Sequence, residues 1–158
     1  MEIEKEQFQF LSKDNKTKIH GIKWTPKDTE IQGVFQLVHG MQEHIGRYEE
    51  FALFLASHGF AVVGHDHLGH GDSVRDTSEL GYFAAKRPSE TAVADMYQVT
   101  RMMQNAYPGI PYFIFGHSMG SFLLRRYLTC YSDKVTGAVI CGTGSTPDAV
   151  TLLGMSLC

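Results

Sequence analysis

A serine framed by glycines, Gly116-His117-Ser118-Met119-Gly120, is the residue set best suited to chemistry in this chain. The G-x-S-x-G spacing falls between a strand-like apolar run, Tyr112-Phe113-Ile114-Phe115, and a helix-like run from Ser121 to Tyr131. A tight strand-to-helix turn forces its central residue into strained backbone and pushes the hydroxyl clear of the sheet. Glycines on either side remove side chains that would collide. Ser118 is therefore the candidate nucleophile. The backbone N–H of Met119, at the start of a helix, points where an oxyanion would develop. A second donor is expected from the loop after the third strand, where the N–H of Met41 in His39-Gly40-Met41 would serve. A serine hydroxyl needs an adjacent base to act, and none of the 8 histidines follows Ser118.

Other polar residues compete for attention. His65, Asp66, His67, His70 and Asp72 share one loop, and H-x-H-x-x-H spacing suits zinc. The similar H-x-H-x-D-H run of metallo-β-lactamase-type hydrolases needs an aspartate where this chain has Gly69. The competing expectation is that Asp66 and His70 hydrogen-bond the loop itself. His117 adjoins Ser118 on a tight turn, where neighbours point apart, so it packs or caps rather than acting as base. Glu43 and Arg47 are four apart and can pair across a helical turn as supports. An upstream base from His39 or His44 is the remaining, weaker arrangement.

These residues need elements to hold them. Residues 7–12 and 17–25 read as two strands joined by a polar turn, and 33–38 as a short apolar strand ending at His39-Gly40. A helix is expected from Arg47 to His58, with Tyr48, Phe51, Ala52 and Leu55 on one stripe and Gly59 as its stop. Residues 60–64 form a buried-type strand. Pro88 opens a long helix through Tyr107, striped by Ala92, Met96, Val99 and Met103. The serine strand and its helix follow, then a strand at 134–141. The order β-β-β-α-β-α-β-α-β implies an α/β fold, a mostly parallel sheet covered by helices on both faces.

Composition sets bounds. At 158 residues, 43% hydrophobic and 20% charged, the chain can bury a core. A net charge of −3 with no basic block gives no support for nucleic-acid binding. No run approaches the ~18 apolar residues of a membrane span. The charged start, Met1 to Glu6, shows no signal peptide, so a cytoplasmic location is expected. Cys130, Cys141 and Cys158 are read as reduced core thiols.

Three motifs carry a family resemblance. His39-Gly40-Met41-Gln42-Glu43-His44-Ile45-Gly46-Arg47-Tyr48 resembles the H-G-x-x-E-H-x-x-R-Y signature of monoacylglycerol lipases and bacterial lysophospholipases. These are α/β-hydrolases often grouped with the serine aminopeptidases (S33). Asp66 to Ser73 resembles their D-x-x-G-H-G-x-S loop, and residues 116–120 their G-H-S-M-G turn. The resemblance implies an α/β-hydrolase fold, truncated before its last core strands. It implies Ser118 as nucleophile, Met41 and Met119 N–H groups as the oxyanion hole, and neither metal nor cofactor. The substrate would be a small acyl ester, monoacylglycerol or lysophospholipid, with no nucleic-acid partner.

In this family the triad runs Ser, then Asp or Glu, then His. Asp133 precedes the last strand at the wrong end of the sheet, and Asp148 lies where a cap would start. Residues 1–144 are thus expected to be the N-terminal part of a hydrolase core and 145–158 the start of a cap cut short. The cap would make any transient membrane contact. On the order of 100 further residues would supply the rest. The chain alone is expected to be inactive and poorly soluble, with the 134–141 strand exposed. Two alternatives remain: a non-catalytic α/β binding module, and a metal-dependent hydrolase built on His65, His67 and His70.

Overall fold

The computed structural model describes residues 2–145. Strands β1 (Ile3–Leu11) and β2 (Lys18–Pro26) form an antiparallel hairpin. Strands β3 (Gly33–Val38), β4 (Phe60–His65), β5 (Tyr112–His117) and β6 (Gly137–Cys141) run parallel. The six strands lie in the order β1-β2-β4-β3-β5-β6. Antiparallel pairing of β2 with β4 attaches the hairpin.

Alternation along β3 decides what each face carries. Val34 and Val38 join a cluster with Met96, Val99 and Met103 of α2 (Pro88–Ala106) and Leu123, Leu124 and Tyr127 of α3 (Met119–Tyr131). Leu37, on the opposite side, packs with Trp24, Val62, and Ala52, Leu55 and Ala56 of α1 (Glu49–Ser57). Each face thus buries its own apolar stripe, the arrangement that strand–helix alternation implies. Gln36 shares the α2 face without cost to the core. Its amide donates to Met96 C=O, and its carbonyl accepts from Thr100 and from the Tyr112 hydroxyl at 2.6 Å.

Some boundaries differ from the sequence reading. β1 starts at Ile3, because Glu4, Lys5 and Glu6 suit a solvated edge strand although they interrupt its apolar pattern. The expected helix from Arg47 is a 3₁₀ turn, Ile45–Tyr48, continued by α1. The expected strand at 134–141 begins with a 3₁₀ turn, Ser132–Lys134, and is regular only from Gly137. Cys130 and Cys141 are free as expected but exposed, not core thiols. The first lies on the outer part of α3, the second on a strand with one neighbour among the described residues. Val139 (47% exposed) and Ile140 (41%) leave β6 the apolar edge that was expected. Asp148, Cys158 and nearly all of the expected cap, 146–158, lie outside the described residues.

Candidate active site

The carboxyl ends of the parallel strands bring the candidate residues to one edge. Ser118 directly follows β5 and precedes α3, with φ 52° and ψ −120°. A non-glycine residue in that region costs about 1–3 kcal/mol of strain, held in place by what surrounds it. Here the surroundings are tight. A Cβ at Gly120 would fall 2.2 Å from Val38 C=O, and one at Gly116 would fall 2.6 Å from Gly120 C=O. Both motif glycines are therefore steric requirements of the strand–helix approach. Ser118 N–H donates to Cys141 C=O at 3.0 Å, and Ser121 N–H returns to Ser118 C=O at 2.9 Å. These bonds fix the serine backbone on both sides. The residue is half-buried, and its hydroxyl has no hydrogen-bond partner among the described residues.

The loop after β3 abuts this turn. A Cβ on Gly40 would stand 3.2 Å from Ser118 Cβ. Gly40 N–H is committed to Glu43 Oε2 at 2.7 Å. The next amide, Met41 N–H, has no acceptor among the described residues, and the Met41 side chain is 63% exposed. Met119 N–H opens α3 and is likewise free among them. Two unspent donors thus belong to the residues flanking the Ser118–Gly40 contact, the layout an oxyanion hole requires.

Glu43 is the hub of that loop. Its Oε2 also accepts from the Tyr48 hydroxyl (2.8 Å) and faces His117 Nδ1 (3.4 Å), while Oε1 pairs with Arg47 (3.3 Å). Burial pushes its carboxyl up, but the bonds from Gly40, Tyr48 and His117 outweigh this and hold it below the usual carboxylate range. Burial, then Glu43, raises the Tyr48 hydroxyl. The support role read for Glu43 and Arg47 matches this geometry, and His117 faces Glu43.

The histidine loop is built differently. His39 accepts from His67 N–H at 3.0 Å through Nε2, and its Nδ1 meets Gly40 C=O at 2.7 Å. With both nitrogens engaged, His39 has none left for the serine. His65, His67 and His70 are buried, and both ring nitrogens of His65 and His67 lack partners among the described residues. Burial lowers His39 to about 4 and His65 to about 3, and moves His67 well below the ordinary imidazole value. The rings pack as neutral aromatics, tilted at 4.3 Å between centroids for His39 and His67 and edge-on at 5.0 Å for His65 and His67.

As expected, Asp66 and His70 bond the loop. Asp66 Oδ1 accepts from Ile45 N–H (2.6 Å), and Oδ2 from Asp72 N–H (2.9 Å) and His20 Nδ1 (3.0 Å). His70 Nδ1 reaches Leu68 C=O at 2.9 Å. The carboxylate–imidazole group that converges within 4.8 Å is His20, Asp66 and Asp72, not His65, His67 and His70. A cation there would have to displace the proton His20 shares with Asp66. Among the described residues the geometry thus does not bring His65, His67 and His70 together as a metal-holding group. The sequence reading missed His20, 46 residues from Asp66. Only the pairing of Gly21 with His65 brings the two together.

Comparisons with known proteins follow this geometry. The family model described as serine aminopeptidase, S33, matches residues 29–155. A monoglyceride lipase homolog of Monkeypox virus is 40% identical over 132 residues, 84% of this chain and 45% of the relative. Human monoglyceride lipase is 40% identical over 97 residues, 61% of this chain and 30% of that protein. Among solved structures, a thermostable carboxyl esterase from Bacillus coagulans superposes with a TM-score of 0.86 at 34% identity. That match covers 96% of this chain and 48% of the esterase. The chain therefore spans less than half the length of these three relatives.

Proposed function

The chain belongs to the serine aminopeptidase S33 family of α/β-hydrolases, and from that premise we propose that it carries the nucleophilic half of a serine ester hydrolase. The observation that carries this reading is the strained, half-exposed Ser118 with an unpartnered hydroxyl beside two unspent amides. Ser118 Oγ attacks the ester carbonyl carbon and loses its proton to a general base. The N–H groups of Met41 and Met119 stabilise the oxyanion, each contributing about 3 kcal/mol. The alcohol leaves with a proton, and water releases the acid from the acyl-serine. No metal or cofactor enters this scheme.

The substrate class proposed is monoacylglycerol or lysophospholipid, and the relatives' printed activity supports the first of these. No histidine is hydrogen-bonded to Ser118 Oγ among the described residues: His20 meets Asp66, His39 is saturated, His44 is exposed in the β3 loop, His58 meets Phe54 C=O, His65, His67 and His70 are packed away, and His117 faces Glu43. The division into core (1–144) and cap start (145–158) belongs to the same proposal. So does a cytosolic setting, supported by the exposed free thiols of Cys130 and Cys141. No described helix is long and apolar enough to cross a membrane.

The test compares ester turnover by the chain alone and by the chain fused to the part of the Monkeypox virus relative that follows the match. Monoacylglycerol, lysophosphatidylcholine and p-nitrophenyl esters serve as substrates. The fused form should hydrolyse at least one of them, with a loss of about 10³-fold or more in its Ser118→Ala variant. Turnover that survives Ser118→Ala, or a folded fusion inert toward all three, would overturn the reading.

A further inference from the structure

The two amides beside Ser118 are held in different ways. Met119 N–H opens α3, so the helix itself sets its direction. Met41 N–H lies in the turn that leaves β3, where no regular element does so. Nor does the local backbone. Gly40 is required there, because a Cβ would stand 3.2 Å from Ser118 Cβ and 2.9 Å from Glu43 Oε2. The same glycine leaves the Gly40–Met41 peptide plane free to rotate. That peptide is trans, so its C=O and its N–H point in opposite directions. Turned over, it would present an oxygen instead of a hydrogen to a developing oxyanion.

One side chain holds the carbonyl end of that plane. His39 Nδ1 meets Gly40 C=O at 2.7 Å, and no other donor reaches this oxygen among the described residues. The place of the ring proton follows from the other nitrogen. His67 N–H can only donate, so Nε2, 3.0 Å away, accepts. Burial lowers the ring to about 4 and leaves it neutral at physiological pH. A neutral imidazole whose Nε2 accepts carries its proton on Nδ1. The bond to Gly40 is therefore a donation, from a fully buried ring packed against His67 and His70. Glu43 Oε2 takes Gly40 N–H, so the peptides before and after Gly40 are tied by different partners.

We propose that His39 is the positioning residue of the oxyanion hole, aiming Met41 N–H by donating from Nδ1 to the carbonyl of the same peptide. It acts through the backbone and touches neither Ser118 Oγ nor the ester. His67 enters only through its backbone N–H, which fixes the His39 tautomer. The inference rests on the serine-hydrolase reading above and names what holds one of its two donors in place.

Two isosteres separate the roles of the ring nitrogens. His39→Asn keeps a donor for Gly40 C=O and drops the acceptor for His67 N–H, and His39→Gln does the reverse. Both are made in the fused form and assayed on the same three esters, with urea midpoints to show that they fold. His39→Gln should lower kcat and kcat/KM together by about 10²-fold, with KM within about threefold. His39→Asn should keep kcat within about tenfold of the unaltered fusion. Equal losses in the two variants, a larger loss in His39→Asn, or a change in KM alone would overturn the proposal. The tautomer is read without turnover: long-range ¹H–¹⁵N spectra of the 158-residue chain should show His39 protonated on Nδ1. A proton on Nε2 would overturn the proposal even where the fusion is active. A folded, unaltered fusion inert toward all three esters would overturn the functional reading and this inference with it, whereas the wrong order of the two variants in an active fusion overturns this inference alone.

Discussion

The turn around Ser118 and the loop around His67 present the same kind of residues in opposite ways. At Ser118 the backbone is strained and the hydroxyl is left without a partner at a half-exposed position. At His67 the backbone is bonded to its neighbours, and the imidazoles are sealed inside as neutral rings. By residue type the histidine loop is the richer in chemistry. Its burial and its hydrogen bonds make it the wall against which the β3 loop, with Gly40 and Met41, is set. What separates a reacting group from a supporting one here is where its unspent polar atoms face.

That contrast can be broken at three points. The largest effect is expected at Gly120. Its Cβ would meet the backbone oxygens of Val38 and His39 at 2.2 and 2.6 Å, neither of which can rotate away. Gly120→Ala should destabilise by more than about 4 kcal/mol in urea unfolding. Gly81→Ala, in open space at φ 81°, should cost only about 1 kcal/mol. Similar costs for the two would mean that the strand–helix approach is loose.

Asp66→Ala comes next. It strands the Ile45 and Asp72 amides and the His20 ring, and should cost about 3–5 kcal/mol without any change in bound zinc. Stoichiometric zinc in the unaltered chain, lost in this variant, would return the loop to metal chemistry.

Smallest at any one step is an effect graded with pH. His39, His65 and His67 have folded values below the ordinary one near 6.5, so the unfolded chain binds more protons as pH falls. Stability should be full above about pH 6.5 and should decline toward pH 4, by up to about 1.4 kcal/mol per unit for each histidine. Urea midpoints across that range measure it. A flat profile would mean that the rings are hydrated.

Much of this was legible in the residues. The glycines around Ser118 and the stripe Ala92-Met96-Val99-Met103 are local patterns, and local patterns survive folding as written. The pairing of Glu43 with Arg47 followed from spacing, and the loop role of Asp66 from weighing the histidine loop beside the Ser118 turn. The His20–Asp66 contact did not, because it exists only through the register of β2 on β4. Nor did the start of β1, where charges that suit a solvated edge mask a strand. The exposure of Cys130 and Cys141 was hidden too, since thiols default to the core and only the sheet order left β6 with one neighbour among the described residues.

The central proposal is that Ser118 is presented as a nucleophile while no described residue is placed to activate it. Intact-mass labelling with a fluorophosphonate reads this directly. The fused form should reach one adduct per molecule, mapped to Ser118 and absent in Ser118→Ala, while the 158-residue chain stays unlabelled over the same period. Stoichiometric labelling of Ser118 in the chain alone would place a base among the residues at hand, and an adduct on any other residue would contradict the assignment itself.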